Sequence, residues 1–125
     1  MSIKKAALAF VFLWFAIGGV AHFAAPAFFL KIVPPSLPYR MEAVYVSGFF
    51  ELLGALGLLL PRLRRAAGVG LMALTVVVTP ANVYMWANPA LFPAVPQVLL
   101  ALRLVLQVAL LAAIWWATQP ARRPA

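Results

Sequence analysis

VYVSGFFELLGALGLLLPRLRR, residues 44 to 65, decides how this chain folds. It is almost wholly apolar from Val44 to Leu60, stops at Pro61, and ends in Arg62, Arg64 and Arg65. About 20 apolar residues are what a helix needs to cross the ~30 Å hydrocarbon layer of a membrane. Proline has no N–H to continue a helix, so Pro61 marks its end. The arginines beyond it are the charged flank of a span. Inside the run sits Glu51, a carboxylate where an ion is most costly; the chain's only other acidic residue is Glu42.

Working outward, the pattern recurs. Four segments reach span length: about 6 to 25, 42 to 60, 66 to 87 and 97 to 118. Pro26, Pro61, Pro96 and Pro120 sit at their ends and Pro80 inside the third. Hydrophobic residues make up 66% of the chain and charged ones 10%, against about 25% charged in soluble domains. With 125 residues there is room for one domain. The expected fold is therefore all-α: an integral membrane four-helix bundle, a single transmembrane domain over residues 1–125.

The first run follows Lys4 and Lys5, as in a signal peptide, but it exceeds the usual apolar region of about 7–15 residues. Ala21-His22-Phe23-Ala24 is a poor cleavage site, so an uncleaved first span is expected. The net charge of +8 does not point to nucleic acid, because the cations lie at the edges of apolar runs and not along one face. Seven of them, Lys4, Lys5, Arg62, Arg64, Arg65, Arg122 and Arg123, fall on one side of the bundle; Lys31 and Arg40 fall on the other. That asymmetry predicts both termini in the cytoplasm. Tyr39, Tyr45, Tyr84 and Trp86 then belong to the outer aromatic belt, and Trp115 and Trp116 to the inner one.

The outer connection, PAFFLKIVPPSLPYR (26 to 40), is too apolar for a solvated loop and too short to span. It is expected to be an interfacial or re-entrant segment between helices 1 and 2, or a loop packed over the bundle mouth; either way it is placed to act as a lid.

At 1.5 Å per residue, His22 lies roughly 5 Å below the outer edge and Asn82 somewhat deeper. Ser47 and Arg103 lie about 10 Å down, with Glu51 and Gln107 near the middle. These six residues give the outer half of the bundle a polar lining that the inner half lacks, and they are the candidate ligand-binding set. Ser47 and Glu51 share one helix face, as do Arg103 and Gln107. Burial of a charge beside an opposite partner is the remedy for its cost in lipid, so Glu51 and Arg103 are expected to pair. Such a pair either fixes helix register or serves a chamber that binds a small ligand or relays protons. Pro80 deprives the Val76 carbonyl of its N–H, with Thr79 and Asn82 near enough to help. Gly48, Gly54, Gly57, Ala66 and Gly70 are expected to let helices approach closely.

Composition also limits chemistry. Without cysteine the chain supplies no disulfide exchange, thiolate metal site or Fe–S ligation. One histidine cannot hold a haem from both sides, two carboxylates make a poor metal cage, and without Asp there is no Ser-His-Asp triad. No catalytic residues are assigned. Electron transfer would need a borrowed cofactor, such as a lipid quinone, or a partner protein.

AHFAAPAFFLKIVPPSLP (21 to 38), SGFFELLGALGLLLPRLRR (47 to 65) and PANVYMW (80 to 86) occur in an order that resembles the DoxX-like family of small bacterial four-helix membrane proteins. The resemblance implies a bundle in the bacterial inner membrane. Some members of that family are subunits of quinone-linked sulfur oxidoreductases, others belong to oxidative-stress complexes, and similar eukaryotic proteins assist receptor assembly. Relatives that support thiol chemistry carry cysteines, which this chain lacks. The resulting expectation is a non-catalytic accessory subunit that binds a small lipid-soluble ligand such as a quinone, with His22 or Arg103 donating to a carbonyl oxygen. The alternative is an assembly chaperone or interaction protein whose Glu–Arg pair is purely structural. Association with a membrane or periplasmic partner, or as an oligomer, is open to either.

Overall fold

The computed structural model describes residues 2–119. Arg122 and Arg123, which count toward the charge asymmetry, lie outside them. Six α-helices follow one another: α1 (Ile3–Ala24), α2 (Pro26–Ile32), α3 (Arg40–Leu58), α4 (Arg64–Val77), α5 (Thr79–Ala87) and α6 (Gln97–Thr118). A short 3-10 turn, Pro89–Leu91, lies between the last two. Four helical stretches, counting α4 and α5 as one, are long and apolar enough to cross a membrane. The chain is a multi-pass membrane protein with no strand among the described residues.

Local chemistry sets the boundaries. Ser2 caps α1 by accepting the Lys5 N–H on its hydroxyl. Pro26 opens α2 and Pro80 sits in the first turn of α5, where the missing N–H costs nothing. Pro96 precedes α6. Tyr39, just before α3, takes the left-handed backbone conformation (φ 54°) with its side chain exposed.

The spans run up and down, so both termini of the described chain and the α3–α4 turn share one end, here the terminal end. Lys4 Nζ donates to the Gln119 carbonyl there (2.6 Å), joining the start of α1 to the end of α6. The helices α1, α3, α4–α5 and α6 form a ring in which each packs on the next, leaving α3 and α6 at opposite corners. Val11, Phe15, Leu58, Leu71, Leu110 and Ile114 fill the core of the terminal half. A smaller cluster, Met85, Phe92 and Leu100, serves the loop end. Phe10, Ile17, Phe49, Leu56, Val105 and Val108 point outward, as lipid-facing side chains do.

The connection after α1 is a short helix laid across the loop end, where α2 touches α1, α3 and α5. Arg40 holds it by donating from Nη2 to the Leu30 and Val33 carbonyls (2.8 and 3.0 Å). It covers the bundle mouth and does not re-enter the core. Of the small residues, Gly48, Gly54 and Gly57 are packed against neighbouring helices, while Gly70 faces open space. Gly19 and Gly68, not singled out in the sequence, pack closely instead.

Candidate functional site

The site starts from a close approach of α1 and α3. A Cβ on Gly48 would lie 2.6 Å from the Cβ of His22, and one on Gly19 would lie 2.7 Å from Cγ of Leu52. With both positions reduced to glycine, the two helices come together where His22 and Glu51 face one another. His22 Nδ1 lies 3.0 Å from Glu51 Oε2, with the two side chains 13% and 15% exposed. The Glu51 carboxylate also packs beside Gly18, where an added Cβ would meet its oxygens at 3.5 and 3.6 Å.

Glu51 therefore pairs with His22, and the expected ion pair with Arg103 does not form. The ring order explains this: α3 packs on α1, whereas Arg103 is on α6, at the opposite corner. The Arg103 guanidinium sits instead over the face of Trp14, 4.8 Å from the ring centroid, a cation–π contact that offsets part of its burial.

Hydrogen bonding fixes the state of the imidazole. Nδ1 is also 2.6 Å from the Gly18 carbonyl, which can only accept, so Nδ1 carries the proton and donates to it. Glu51 Oε2 faces the same nitrogen without receiving a hydrogen bond from it. In the neutral ring Nε2 then holds a lone pair and accepts. The ring is held flat against Phe29 of α2, with centroids 3.9 Å apart and planes 18° from parallel.

Two spaces adjoin this pair. A cavity of about 530 Å³ at the loop end is lined by His22 and Ser47, by Phe29 and Val33 from the connection between α1 and α3, and by Val78 and Pro80 from the third span. Its walls are mostly apolar, and its size suits a small organic molecule. A second space, of about 20 Å³, lies deeper among Glu51, Arg103, Gln107, Thr75 and Trp14. That is the room one water molecule takes. Glu51 Oε2 and Arg103 Nη1, an acceptor and a donor, are both buried with no hydrogen-bond partner among the described residues, Oε2 having only its contact with His22.

The third span breaks between these spaces. Val78 separates α4 from α5, and the carbonyl that is capped across helices is that of Thr75, not Val76. Gln107 Nε2 of α6 donates to it (2.8 Å) and the Thr79 hydroxyl does the same (2.9 Å). Thr79 helps as expected, one residue away from the expected acceptor. Asn82 makes no such bond.

The six sequence candidates thus divide. His22 and Ser47 line the large cavity; Glu51, Arg103 and Gln107 surround the small one. Asn82 is buried but borders neither. Val78 borders both, and the His22–Glu51 contact connects them. Sequence reasoning missed Gly18, Gly19, Trp14 and Thr75. The Gly18-Gly19 pair, one turn before the only histidine, was the available signal, because small residues mark the face where a helix approaches its neighbour.

A family model described as "Domain of unknown function (DUF8561)" matches residues 10–118, and the chain belongs to that family. No curated protein and no solved structure matches it.

Proposed function

We propose that this protein is an accessory subunit of the bacterial inner membrane that binds a small, lipid-soluble, hydroxyl-bearing ligand, for which the reduced form of a quinone is the leading candidate. The observation that carries the reading is the pairing of an apolar 530 Å³ cavity with His22, whose Nδ1 is committed to Gly18 and Glu51. Nε2 then accepts a hydrogen bond from a ligand hydroxyl, and Glu51 stabilises the imidazolium if the proton transfers. Arg103 borders only the deeper space, so no ligand contact is assigned to it. Ser47 is a second polar contact in the cavity wall. The resemblance to DoxX-like proteins read from residues 21–38, 47–65 and 80–86 is the ground for a quinone-linked role beside a catalytic partner. The cation asymmetry is the ground for cytoplasmic termini and a cavity in the outer half of the membrane.

The test is binding of a short-chain quinol to the detergent-solubilised protein, followed by the ring resonances of its only histidine. Saturable shifts at His22 are expected, together with loss of at least about tenfold in affinity for His22→Phe, which keeps the stack on Phe29. Equal affinity in that variant would refute the assignment.

The rival, an interaction protein whose buried pair is structural, draws on a different observation. An apolar groove of about 550 Å³ between α3 and α4, floored by Gly54, Gly57 and Gly70, is open to another helix. It predicts that His22→Phe leaves binding to a co-purifying partner unchanged.

A further inference from the structure

The terminal end carries a cavity of about 410 Å³ lined by Ser2, Lys4, Lys5, Arg64, Arg65 and Thr118, among others. Four of these are cations, and no side chain of this protein can neutralise them. The two carboxylates both lie on α3, Glu42 in its first turn at the loop end and Glu51 at mid-bundle. Cations converging with no carboxylate side chain beside them repel one another, so the arrangement favours an anion supplied from outside.

Several details shape the cavity for an anion. Arg65 lies with its guanidinium carbon 4.3 Å from the Trp115 ring centroid, which fixes the plane of its nitrogens. Its Nη1 is buried with no hydrogen-bond partner among the described residues. Arg64 spends Nε on the Leu58 carbonyl (2.8 Å), and its terminal nitrogens make no hydrogen bond among the described residues. Lys4 is oriented by its bond to Gln119. The helix α4 opens here without a capping side chain, so its positive dipole end faces the same space.

We infer that this cavity is a binding site for a phosphate group, carried by an anionic lipid headgroup or free as inorganic phosphate. Arg65 and Lys5 are its principal donors, with Lys4 and Arg64 completing the charge. The site is separate from the His22 cavity, and its presence does not depend on the function proposed above.

The experiment places the full chain in nanodiscs of phosphatidylcholine, alone or with a minor fraction of phosphatidylglycerol. Native mass spectrometry counts retained phosphatidylglycerol, and phosphorus NMR follows inorganic phosphate in the phosphatidylcholine-only discs. Selective retention of phosphatidylglycerol assigns the site to a lipid headgroup; binding of phosphate without such retention assigns it to the free ion. Affinity should fall about fivefold for each cation removed in Lys5→Gln and in Arg65→Gln. Lys5 is exposed and its replacement leaves the packing intact. The control is Arg62→Gln, an exposed cation outside the cavity, expected to bind as the wild type does. Retention of neither probe above the phosphatidylcholine background would overturn the inference. An equal loss in Arg62→Gln would do the same, since it would reduce the effect to surface charge.

Discussion

Replacing Gly48 by alanine tests the geometry on which the His22–Glu51 pair depends. The new Cβ would start 2.6 Å from Cβ of His22, 3.0 Å from Cε2 of Phe23 and 3.2 Å from Cγ of His22. Carbon atoms settle at about 3.5–4.0 Å, so α1 must retreat from α3 by roughly 1 Å. A rigid retreat of that size takes the 3.0 Å contact between Nδ1 and Oε2 beyond hydrogen-bonding range. Overpacking of this kind costs about 1–3 kcal/mol. Removing a mid-helix glycine returns at most ~1 kcal/mol. The expected net loss is roughly 1–2 kcal/mol, read as a lower unfolding midpoint in detergent, with a changed ring resonance for His22. Gly70→Ala is the matched control, because an added Cβ there meets nothing within 4 Å; it should be neutral or slightly stabilising. If Gly48→Ala were as stable as Gly70→Ala and left His22 undisturbed, α1 and α3 would not meet as described.

Pair energies can be separated by two double-mutant cycles on unfolding in detergent. His22→Phe with Glu51→Gln should show coupling of about 1–2 kcal/mol, and Glu51→Gln with Arg103→Met about 0.5 kcal/mol or less; the reverse order would restore the Glu51–Arg103 pair. Gln107→Leu removes the cross-helix bond to the Thr75 carbonyl and should cost about 0.6–1.7 kcal/mol, measured by the same unfolding assay, while Thr79→Val should cost less because Gln107 remains. For orientation, a reporter active only in the cytoplasm should work when fused to the C-terminus; activity of a periplasmic reporter there would invert the proposed topology.

The spans were readable because lipid imposes one simple requirement, length in apolar residues, and proline punctuates it. The observed boundaries fall within three residues of those expected from composition. The partner of Glu51 was not readable. Depth along a helix follows from counting residues, and it put Arg103 within a turn or two of Glu51. Which helices stand side by side depends on packing around the ring, and depth carries nothing about it. His22 was read as a ligand contact and not as the partner of Glu51, yet the Gly19–Gly48 approach brings it against the next helix, within reach of that carboxylate. Pro80 did announce the interruption of the third span. It did not reveal that the exposed carbonyl would be one residue earlier, because Gln107 arrives from a helix remote in sequence.

That interruption has a mechanical consequence. An unbroken span transmits bending along its whole length, whereas Val78 divides the third one into two levers. The lower lever, α4, is anchored in the dense terminal core through Leu71. The upper lever, α5, is nine residues long and leans on the sparser cluster around Met85. Elastic compliance is therefore concentrated at the loop end, beside the cavity wall formed by Val78 and Pro80. On the proposed function, ligands of different girth would be taken up there by pivoting one short rod, while the rest of the bundle keeps its shape.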